Sequence, residues 1–140
     1  MKIKIKILKE GAKVPTYGHL GDVGLDLYSM EEVTIPPMGH HRFWHGFALE
    51  IPEGYGGIIM DKSSISKAGL LHMGGVFDAG YRGEYNTHLV NLSAEPYTFE
   101  VGDKVSQLVI IPAGGAELEE VRELSDSSRG EGGFGSTGKK

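Results

Sequence analysis

The sequence begins with Lys2-Ile3-Lys4-Ile5-Lys6-Ile7, a stretch in which lysine and isoleucine alternate strictly. Successive side chains of a β-strand point to opposite faces, so this alternation places the isoleucines on one face and the lysines on the other. The stretch therefore predicts a strand that is buried on one side and exposed to water on the other. The rest of the chain continues in short segments of similar kind.

Further apolar segments of strand length follow along the chain, at 33–35, 47–51, 57–60, 76–77, 87–92, 97–101 and 105–111. Glycine, proline or aspartate interrupts nearly every gap between them, as in Pro52-Glu53-Gly54 and Val101-Gly102-Asp103. This punctuation predicts an all-β sandwich or barrel rather than alternating strands and helices. One short helix is expected around residues 64–67, and residues 117–124 are compatible with either a strand or one or two helical turns.

Composition narrows the class of protein. The chain has 140 residues, a net charge of -5 and no cysteine. It lacks the basic excess that binding to a nucleic-acid backbone requires, and it cannot form disulfides or thiolate-zinc sites. No apolar run resembles a signal peptide or a membrane span, so we expect a cytoplasmic protein with neither a nucleic-acid nor a membrane partner.

The last segment, residues 125–140, differs from the rest of the chain. It shows no apolar periodicity, and the stretch from Gly130 to Gly138 contains five glycines. Such a segment cannot bury enough surface to stay ordered by itself. We therefore expect a β domain over residues 1–124 and a mobile arm over residues 125–140. Arg129 and Phe134 stand out in the arm, because a purely solvating tail has little use for an aromatic side chain.

Two stretches carry residues suited to binding a metal or an anion. Asp22 and Asp26 flank Gly24, and carboxylates are ligands that Mg²⁺ prefers, although aspartates that cap their own turn are equally compatible. The run Lys62-Ser63-Ser64 follows an apolar strand. There it could either cap a short helix or bind a phosphate.

Two other stretches contain candidate acid–base or metal-binding groups. Asp78 directly follows the apolar pair Val76-Phe77, in a run that predicts a hairpin of strand, glycine pair and strand. A carboxylate in that position is a candidate general base, though it could equally begin a turn. His41 and His45 are spaced four apart, but the surrounding strand or turn pattern does not favour a zinc site.

Taken in order, five stretches resemble the five motifs of the trimeric dUTP diphosphatase (dUTPase) family. They are residues 22–29, 62–66, 75–84, 102–108 and 129–138. Any one motif would be a weak signal, whereas five in order over nearly the whole chain are specific. The resemblance implies a jelly-roll-like β-barrel, a homotrimer in which three chains build each active site, and a C-terminal arm that closes over a neighbour's nucleotide.

The same resemblance implies a reaction. Mg²⁺-dependent hydrolysis would convert dUTP to dUMP and pyrophosphate, which limits uracil in DNA and supplies dUMP for dTMP synthesis. Asp78 would be the base that activates water for attack on the α-phosphate, and Tyr81 would pack on the deoxyribose and reject a 2′-hydroxyl. Backbone groups of the hairpin that includes His72, Gly75 and Val76 would pair with uracil.

The remaining contacts implied by the resemblance involve the phosphates, the base and the metal. Asp26 would contact Mg²⁺ through water. Arg129 would reach the terminal phosphates, and Phe134 would stack on uracil. The other phosphate-binding residues would be Lys62, Ser63, Ser64, Gln107, Gly135, Ser136 and Thr137.

Two positions depart from the family pattern. Lys62 stands where arginine is usual, which keeps the charge but loses the planar bidentate fork. Gly80 stands where a second aspartate is common, and glycine there is similar to the related dCTP deaminases. Those deaminases need a glutamate further along the strand, where this chain has His88. Two alternatives stay open: a dCTP deaminase, and a nucleotide-sensing protein that keeps the fold with little activity.

Overall fold

The computed structural model describes residues 1–133, which form eleven strands and one short helix. In chain order the elements are β1 Lys4–Ile7, β2 Gly24–Tyr28, β3 Val33–Ile35, β4 His40–Trp44, β5 Phe47–Glu50, β6 Tyr55–Met60, α1 Ser63–Lys67, β7 Leu70–His72, β8 Val76–Phe77, β9 Asn86–Asn91, β10 Tyr97–Phe99 and β11 Lys104–Pro112. The predicted all-β fold and the predicted short helix are confirmed. Within this part of the chain, no helix is long and apolar enough to cross a membrane.

The strands form four small antiparallel sheets. The largest has the order β2-β11-β6-β8, a second has the order β4-β9-β7, and the pairs β1-β5 and β3-β10 complete the set. Strand β11 pairs along both of its edges, which places Gln107 opposite Asp26 on one side and Met60 on the other. Residues that are far apart in sequence are thereby brought together.

Two apolar clusters fill the interior. The first contains Leu27, Phe47, Leu49, Ile51, Ile59, Phe77, Tyr85 and Leu108. The second contains Ile35, Phe43, Ile65, Leu70, Leu89, Phe99 and Val105. In the first cluster the ring of Tyr85 stacks on those of Phe77 and Phe47, with centroid distances of 4.2 and 5.5 Å. Burying each such ring contributes roughly 1.5–3 kcal/mol, so this stack fixes the chain segment that follows Asp78.

The strand predictions hold for most of the chain, and the exceptions have physical reasons. Ile3 and Ile5 pack against the first cluster as the alternation predicts, whereas Ile7, at the end of β1, is 45% exposed. Strand β2 was not among the predicted apolar segments, because the charged Asp26 lies at its centre. Residues 117–124 form neither a strand nor a helix, and all of them are exposed.

The hairpin predicted around the glycine pair is wrong in its pairing. Strand β7 pairs with β9 and strand β8 pairs with β6, so the two strands belong to different sheets. The connection Met73-Gly74-Gly75 crosses from one sheet to the other, with φ of 77° at Gly74 and 104° at Gly75. Glycine adopts such angles far more readily than other residues. A cavity opens where the two sheets separate.

Candidate active site

The cavity between the two sheets has a volume of about 290 Å³. Five residues singled out from the sequence line it: His72, Gly75, Val76, Asp78 and Tyr81. The opposite wall comes from β4 and β9. The structure therefore brings together the residues that were predicted to contact the uracil, to contact the sugar and to act as the general base. Asp78 is the one carboxylate among the described residues that line this cavity.

The connection between β7 and β8 forms one wall with its backbone. The amide of Met73 donates to the carbonyl of His88 at 2.7 Å, and the carbonyl of Gly75 accepts from the amide of Ile59 at 2.8 Å. A Cβ atom on Gly75 would lie 2.7 Å from the Cβ of Ile59. The connection can approach β6 this closely only because Gly75 has no side chain. A ligand on this side of the cavity would therefore meet peptide groups.

Asp78 and Tyr81 lie at the two ends of one tight turn. The amide of Tyr81 donates to the carbonyl of Asp78 at 3.0 Å, and the Tyr81 hydroxyl donates to the carbonyl of Glu84 at 3.0 Å. The Tyr81 ring also packs on Phe77, with a centroid distance of 5.5 Å. An exposed carboxylate and a phenol ring held by one hydrogen bond therefore share the rim of the cavity.

A second group of predicted residues surrounds the buried Asp26 of β2. Lys62 contacts the Oδ1 atom of this carboxylate, and the Nζ atom of Lys104 lies 2.6 Å from its Oδ2 atom. Burial by itself would raise the pKa of Asp26, but the hydrogen bonds and charges of Lys104 and Lys62 outweigh it and hold the pKa below its usual value. The carboxylate is therefore ionised at neutral pH and fixes two cations beside it.

The remaining members of this group lie around the start of α1. Lys62 is the residue before the helix and makes no side-chain cap, so the capping interpretation is not supported for it. Ser63 and Ser64 are exposed in the first turn. Gln107 donates from Nε2 to the carbonyl of Asp61 at 3.0 Å. A cavity of about 360 Å³ is lined by Lys62, Ser64 and Lys104 together with Asp103, and its two ammonium groups suit an anion.

The two groups occupy separate cavities of one chain. Among the described residues, none of Lys62, Ser63, Ser64 and Gln107 lines the cavity of Asp78. Asp61 lies between the groups, because its Oδ1 atom accepts from the amide of His72 at 2.9 Å and lies 3.1 Å from the Nδ1 atom of the His72 ring. One chain thus presents the cavity of Asp78 and a cationic surface at different positions.

The fit of the described residues to Mg²⁺ depends on their acidic side chains. Both oxygens of Asp26 are engaged by ammonium groups, so this carboxylate does not suit direct coordination. Within residues 1–133, no three His, Cys, Asp or Glu side chains are grouped as a metal site. Magnesium often keeps several waters and binds mainly through substrate phosphates. The described residues therefore suit an ion that is held mainly by substrate phosphates rather than by direct protein ligands.

The predicted residues of the arm are only partly described. Arg129 is exposed, and its Nε atom donates to the carbonyl of Gly132 at 2.7 Å, so it lies at neither cavity. The predictions for Phe134, Gly135, Ser136 and Thr137 lie outside the described residues.

The far wall of the cavity carries a row of residues, Arg42, Asn86 and His88, for which the sequence predicted no place in the site. Register places Arg42 of β4 opposite His88 of β9, and both line the cavity together with Asn86. The Nε2 atom of His88 lies 3.0 Å from the Nδ1 atom of His40. Burial, with the charges of Arg42, His40 and His41, lowers the pKa of His88, so its ring is neutral at pH 7. Only the pairing of β4 with β9 reveals this row.

The two histidines spaced four apart have different partners, in line with the pattern that did not favour zinc. His41 contacts Glu31 at 2.8 Å through Nε2. His45 is buried, with its Nδ1 atom 2.9 Å from the carbonyl of Tyr28 and its Nε2 atom 2.8 Å from the hydroxyl of Thr87. These contacts assign a neutral ring in which Nδ1–H donates to Tyr28 and Nε2 accepts from Thr87.

Because His45 is buried, we expect it to make stability pH-dependent. Burial lowers its pKa from 6.5 to about 4, and the bond to Tyr28 and the charge of Glu84 only partly offset that. Between these values the unfolded chain binds a proton that the folded chain does not, so stability falls as pH drops through this window. His45 alone should make the free energy of unfolding about 2 kcal/mol lower at pH 5 than at pH 7.5.

Urea denaturation of the wild type and His45→Gln at both pH values measures this effect. The variant has no proton to gain at this position and should lose about 2 kcal/mol less on acidification. Asp26 does not contribute in this window, because its lowered pKa affects stability only at more acidic pH. Equal losses in the two proteins would contradict the assignment.

The cavity of Asp78 is walled by peptide groups, and the lysine-rich site, made of Lys62 and Lys104 around Asp26, lies elsewhere on this all-β chain. Peptide groups can pair with the edge of a base, and ammonium groups can pair with phosphates. The sequence profile of the dUTPase family matches residues 10–138, and the chain belongs to this family. The family and the enzyme class expected from the five motifs are thereby confirmed.

Relatives of similar length carry the corresponding name. The chain is 44% identical over 140 residues to the deoxyuridine 5′-triphosphate nucleotidohydrolase of Clostridium tetani, which covers 98% of this chain and 97% of that protein. It is 43% identical over 141 residues to the protein of the same name from Alkaliphilus metalliredigens, covering 99% of this chain and 98% of that one.

Solved structures show the same fold. A mutant dUTPase of Staphylococcus bacteriophage 80alpha, solved with dUpNHpp, superposes with a TM-score of 0.92 at 30% identity over 98% of both chains. A mutant dUTPase from phage phi11 of S. aureus, described as revealing the coordination of a structural Mg(II) ion, has a TM-score of 0.83 at 27% identity, covering 90% of this chain and 100% of that one.

Proposed function

We propose that this chain hydrolyses dUTP to dUMP and pyrophosphate with Mg²⁺ and with Asp78 as the general base. The observation that carries the proposal is the cavity in which Asp78 and Tyr81 share a rim beside the glycine-lined connection of residues 73–75. Membership of the dUTPase family supports the reaction. The dUpNHpp complex of the phage 80alpha relative supports a deoxyuridine triphosphate as the ligand.

Base selection is assigned to the peptide wall. The edge of uracil presents an acceptor, a donor and an acceptor, which backbone amides and carbonyls near His72, Gly75 and Val76 can match. Hydrogen bonds hold the wall against β6 and β9. Its peptide groups therefore cannot exchange donors for acceptors to pair with cytosine, and the wall cannot move back to make room for a 5-methyl group. A site built on fixed hydrogen bonds discriminates strongly against a base that leaves them unmade.

The chemical step is assigned to Asp78. It accepts a proton from the water that attacks the α-phosphorus, a new oxygen–phosphorus bond forms, and the bond to the β-phosphate oxygen breaks to release pyrophosphate. A positioned base of this kind contributes roughly 10²–10⁴ in rate. Magnesium supplies neutralisation of the phosphate charge when bound. Phosphoryl transfer otherwise needs mainly positioning and charge stabilisation.

The phosphates are assigned to the lysine-rich site. Lys62, Ser63, Ser64 and Gln107 would hold them, and Asp26 would keep the ammonium groups of Lys62 and Lys104 in place while meeting the hydrated Mg²⁺. Lysine at position 62 offers charge without a bidentate fork. Lys104 adds a second cation to the site. The paired lysines can thus supply the charge that one arginine would bring.

A homotrimer would join the two halves of the site. The base cavity and the lysine-rich site lie apart on one chain, so a nucleotide that needs both would be bound between chains. We propose a barrel over residues 1–124 and an arm over residues 125–140 that brings Arg129, Phe134, Gly135, Ser136 and Thr137 to a neighbour's nucleotide. Sedimentation at three times the chain mass of 15.1 kDa is expected, and a stable monomer would contradict the shared site.

The reaction is tested by offering dUTP, dCTP, dTTP and UTP with Mg²⁺ or with excess EDTA. Pyrophosphate release should be confined to dUTP and lost with EDTA. Ammonia from dCTP would point to a deaminase, although the cavity has neutral His88 where such an enzyme needs a glutamate. Tight dUTP binding without turnover would point to a nucleotide sensor. The cytoplasmic location and the absence of nucleic-acid and membrane partners stay predictions.

A further inference from the structure

We infer that Gly83 is a positioning residue for sugar selection, because its bare Cα forms the seat in which the ring of Tyr81 lies. The inference rests on the proposed function, in which Tyr81 packs against the deoxyribose and rejects a 2′-hydroxyl. Gly83 touches no substrate in this account. It acts through Tyr81 and sets how far that ring extends over the sugar.

The ring of Tyr81 folds back directly over Gly83. A Cβ atom on Gly83 would lie 2.5 Å from Cζ of Tyr81, 2.9 Å from Cε2 and closer still to the hydroxyl oxygen. Such separations are far inside van der Waals contact, which begins near 3.5 Å for carbon pairs. The ring can therefore occupy its place, with its hydroxyl on the carbonyl of Glu84 at 3.0 Å, only while residue 83 is glycine.

The floor of this seat is fixed, so the ring must move if a methyl group is added. The amide of Tyr85 donates to the carbonyl of Phe47 at 2.9 Å, and the carbonyl of Tyr85 accepts from the amide of His45 at 3.0 Å. The Glu84 side chain accepts from the amide of Gly46 at 2.9 Å. The Tyr85 ring is fully buried in the aromatic stack. Tyr81 is the exposed and rotatable partner.

Displacement of Tyr81 would change the space available at the sugar. The ring excludes a 2′-hydroxyl by occupying its position, and it does so accurately only when the hydroxyl anchor to Glu84 is made. With that anchor broken, the ring loses its fixed orientation on the rim. We expect Gly83→Ala to reduce the preference for dUTP over UTP in kcat/KM by about tenfold, the lower end of discrimination set by shape.

The same turn offers a matched control. Gly80 also lacks a positive φ, but a Cβ atom there would meet nothing within 4 Å. Gly80→Ala therefore adds the same methyl group to the same loop without touching Tyr81. It should keep the dUTP to UTP preference within twofold of the wild type, whereas a general sensitivity of the loop to substitution would affect both variants alike.

A double-variant cycle shows whether Gly83 acts through Tyr81. We would measure kcat/KM for dUTP and UTP in the wild type, Gly83→Ala, Tyr81→Ala and the double variant, and binding of dUMP and UMP by calorimetry in the same proteins. Once Tyr81 is alanine, adding Gly83→Ala should not change either preference further. Additive effects, or an unchanged preference in Gly83→Ala, would overturn the inference.

The binding measurement separates this inference from the proposed reaction. A wild type that binds dUMP in preference to UMP but does not hydrolyse dUTP would overturn the reaction and still allow the seat to be tested. If the wild type hydrolyses dUTP and Gly83→Ala keeps the wild-type preference, only the inference about Gly83 would be overturned. If the wild type showed no preference for the deoxy sugar, Gly83 would have no sugar selection to support, and the inference would be overturned.

Discussion

Replacing Asp78 by asparagine is expected to lower kcat for dUTP by about 10²–10⁴ while nucleotide binding changes little. Asparagine keeps the shape of the side chain but cannot accept the proton of the attacking water. The carbonyl of Asp78, which accepts from the amide of Tyr81 at 3.0 Å, is unaffected by the change. The loss should therefore fall on the chemical step, and not on the arrangement of the rim.

Single-turnover rates and calorimetric titration with dUpNHpp separate these two effects. Glu95→Gln is a suitable control, because it removes a carboxylate that is exposed and lies outside the cavity. The control should keep the wild-type rate. An Asp78→Asn variant that retained more than a tenth of the wild-type rate would show that another group activates the water.

The second large effect is expected at Gly75, where alanine should cost about 2–4 kcal/mol of folding free energy and abolish selective binding of uracil. Its φ of 104° is strained for any residue with a side chain. The added methyl carbon would also lie 2.7 Å from the Cβ of Ile59, on a strand in the centre of the largest sheet. The connection must retreat, which moves the peptide wall away from the base.

Gly54→Ala is the matched control for this change. Gly54 lies in the turn before β6, outside the lining of the Asp78 cavity. It has a similar positive φ of 81°, but a Cβ atom there would meet nothing within 4 Å. We expect it to lose about 1 kcal/mol from backbone strain and to keep the preference for dUTP. Urea denaturation and dUMP binding measure both quantities. Equal losses in the two variants would mean that the contact with Ile59 is not what fixes the wall.

The sequence predicts the strands well because their signals are local. Alternation identifies β1, and short apolar segments between turn residues identify β3, β8 and β9 closely. Strand β2 is missed for a reason that lies elsewhere in the chain. Its central Asp26 is paired with Lys62 and Lys104, and a sequence window cannot show that a charge is neutralised by partners so far away.

Pairing between strands is the information that the sequence does not contain locally. The glycine pair before Asp78 correctly indicates a sharp change of direction, but a hairpin and a crossing between two sheets share that signal. The difference decides the chemistry, since a paired hairpin would satisfy its own backbone and leave no cavity. The wall of Arg42, Asn86 and His88 can likewise be predicted only when the pairing of β4 with β9 is known.

The roles that the motifs imply for the candidate site stay predictions, but the structure shows where the motif residues lie. Asp78 and Tyr81 line one cavity, and Lys62, Ser63 and Ser64 lie at the start of α1. Lys104 and Asp61 were not anticipated, although both lie within or beside recognised motifs. Their importance comes from one contact each, with Asp26 and His72 respectively, and contacts between distant segments are not visible in a motif.

The central claim is that water activated by Asp78 attacks the α-phosphorus of dUTP. Hydrolysis in water labelled with heavy oxygen, followed by mass spectrometry of both products, tests it most directly. We expect one labelled oxygen in the phosphate of dUMP and none in pyrophosphate, at a rate that Asp78→Asn lowers by orders of magnitude. Label in pyrophosphate, or no cleavage of dUTP, would contradict the account.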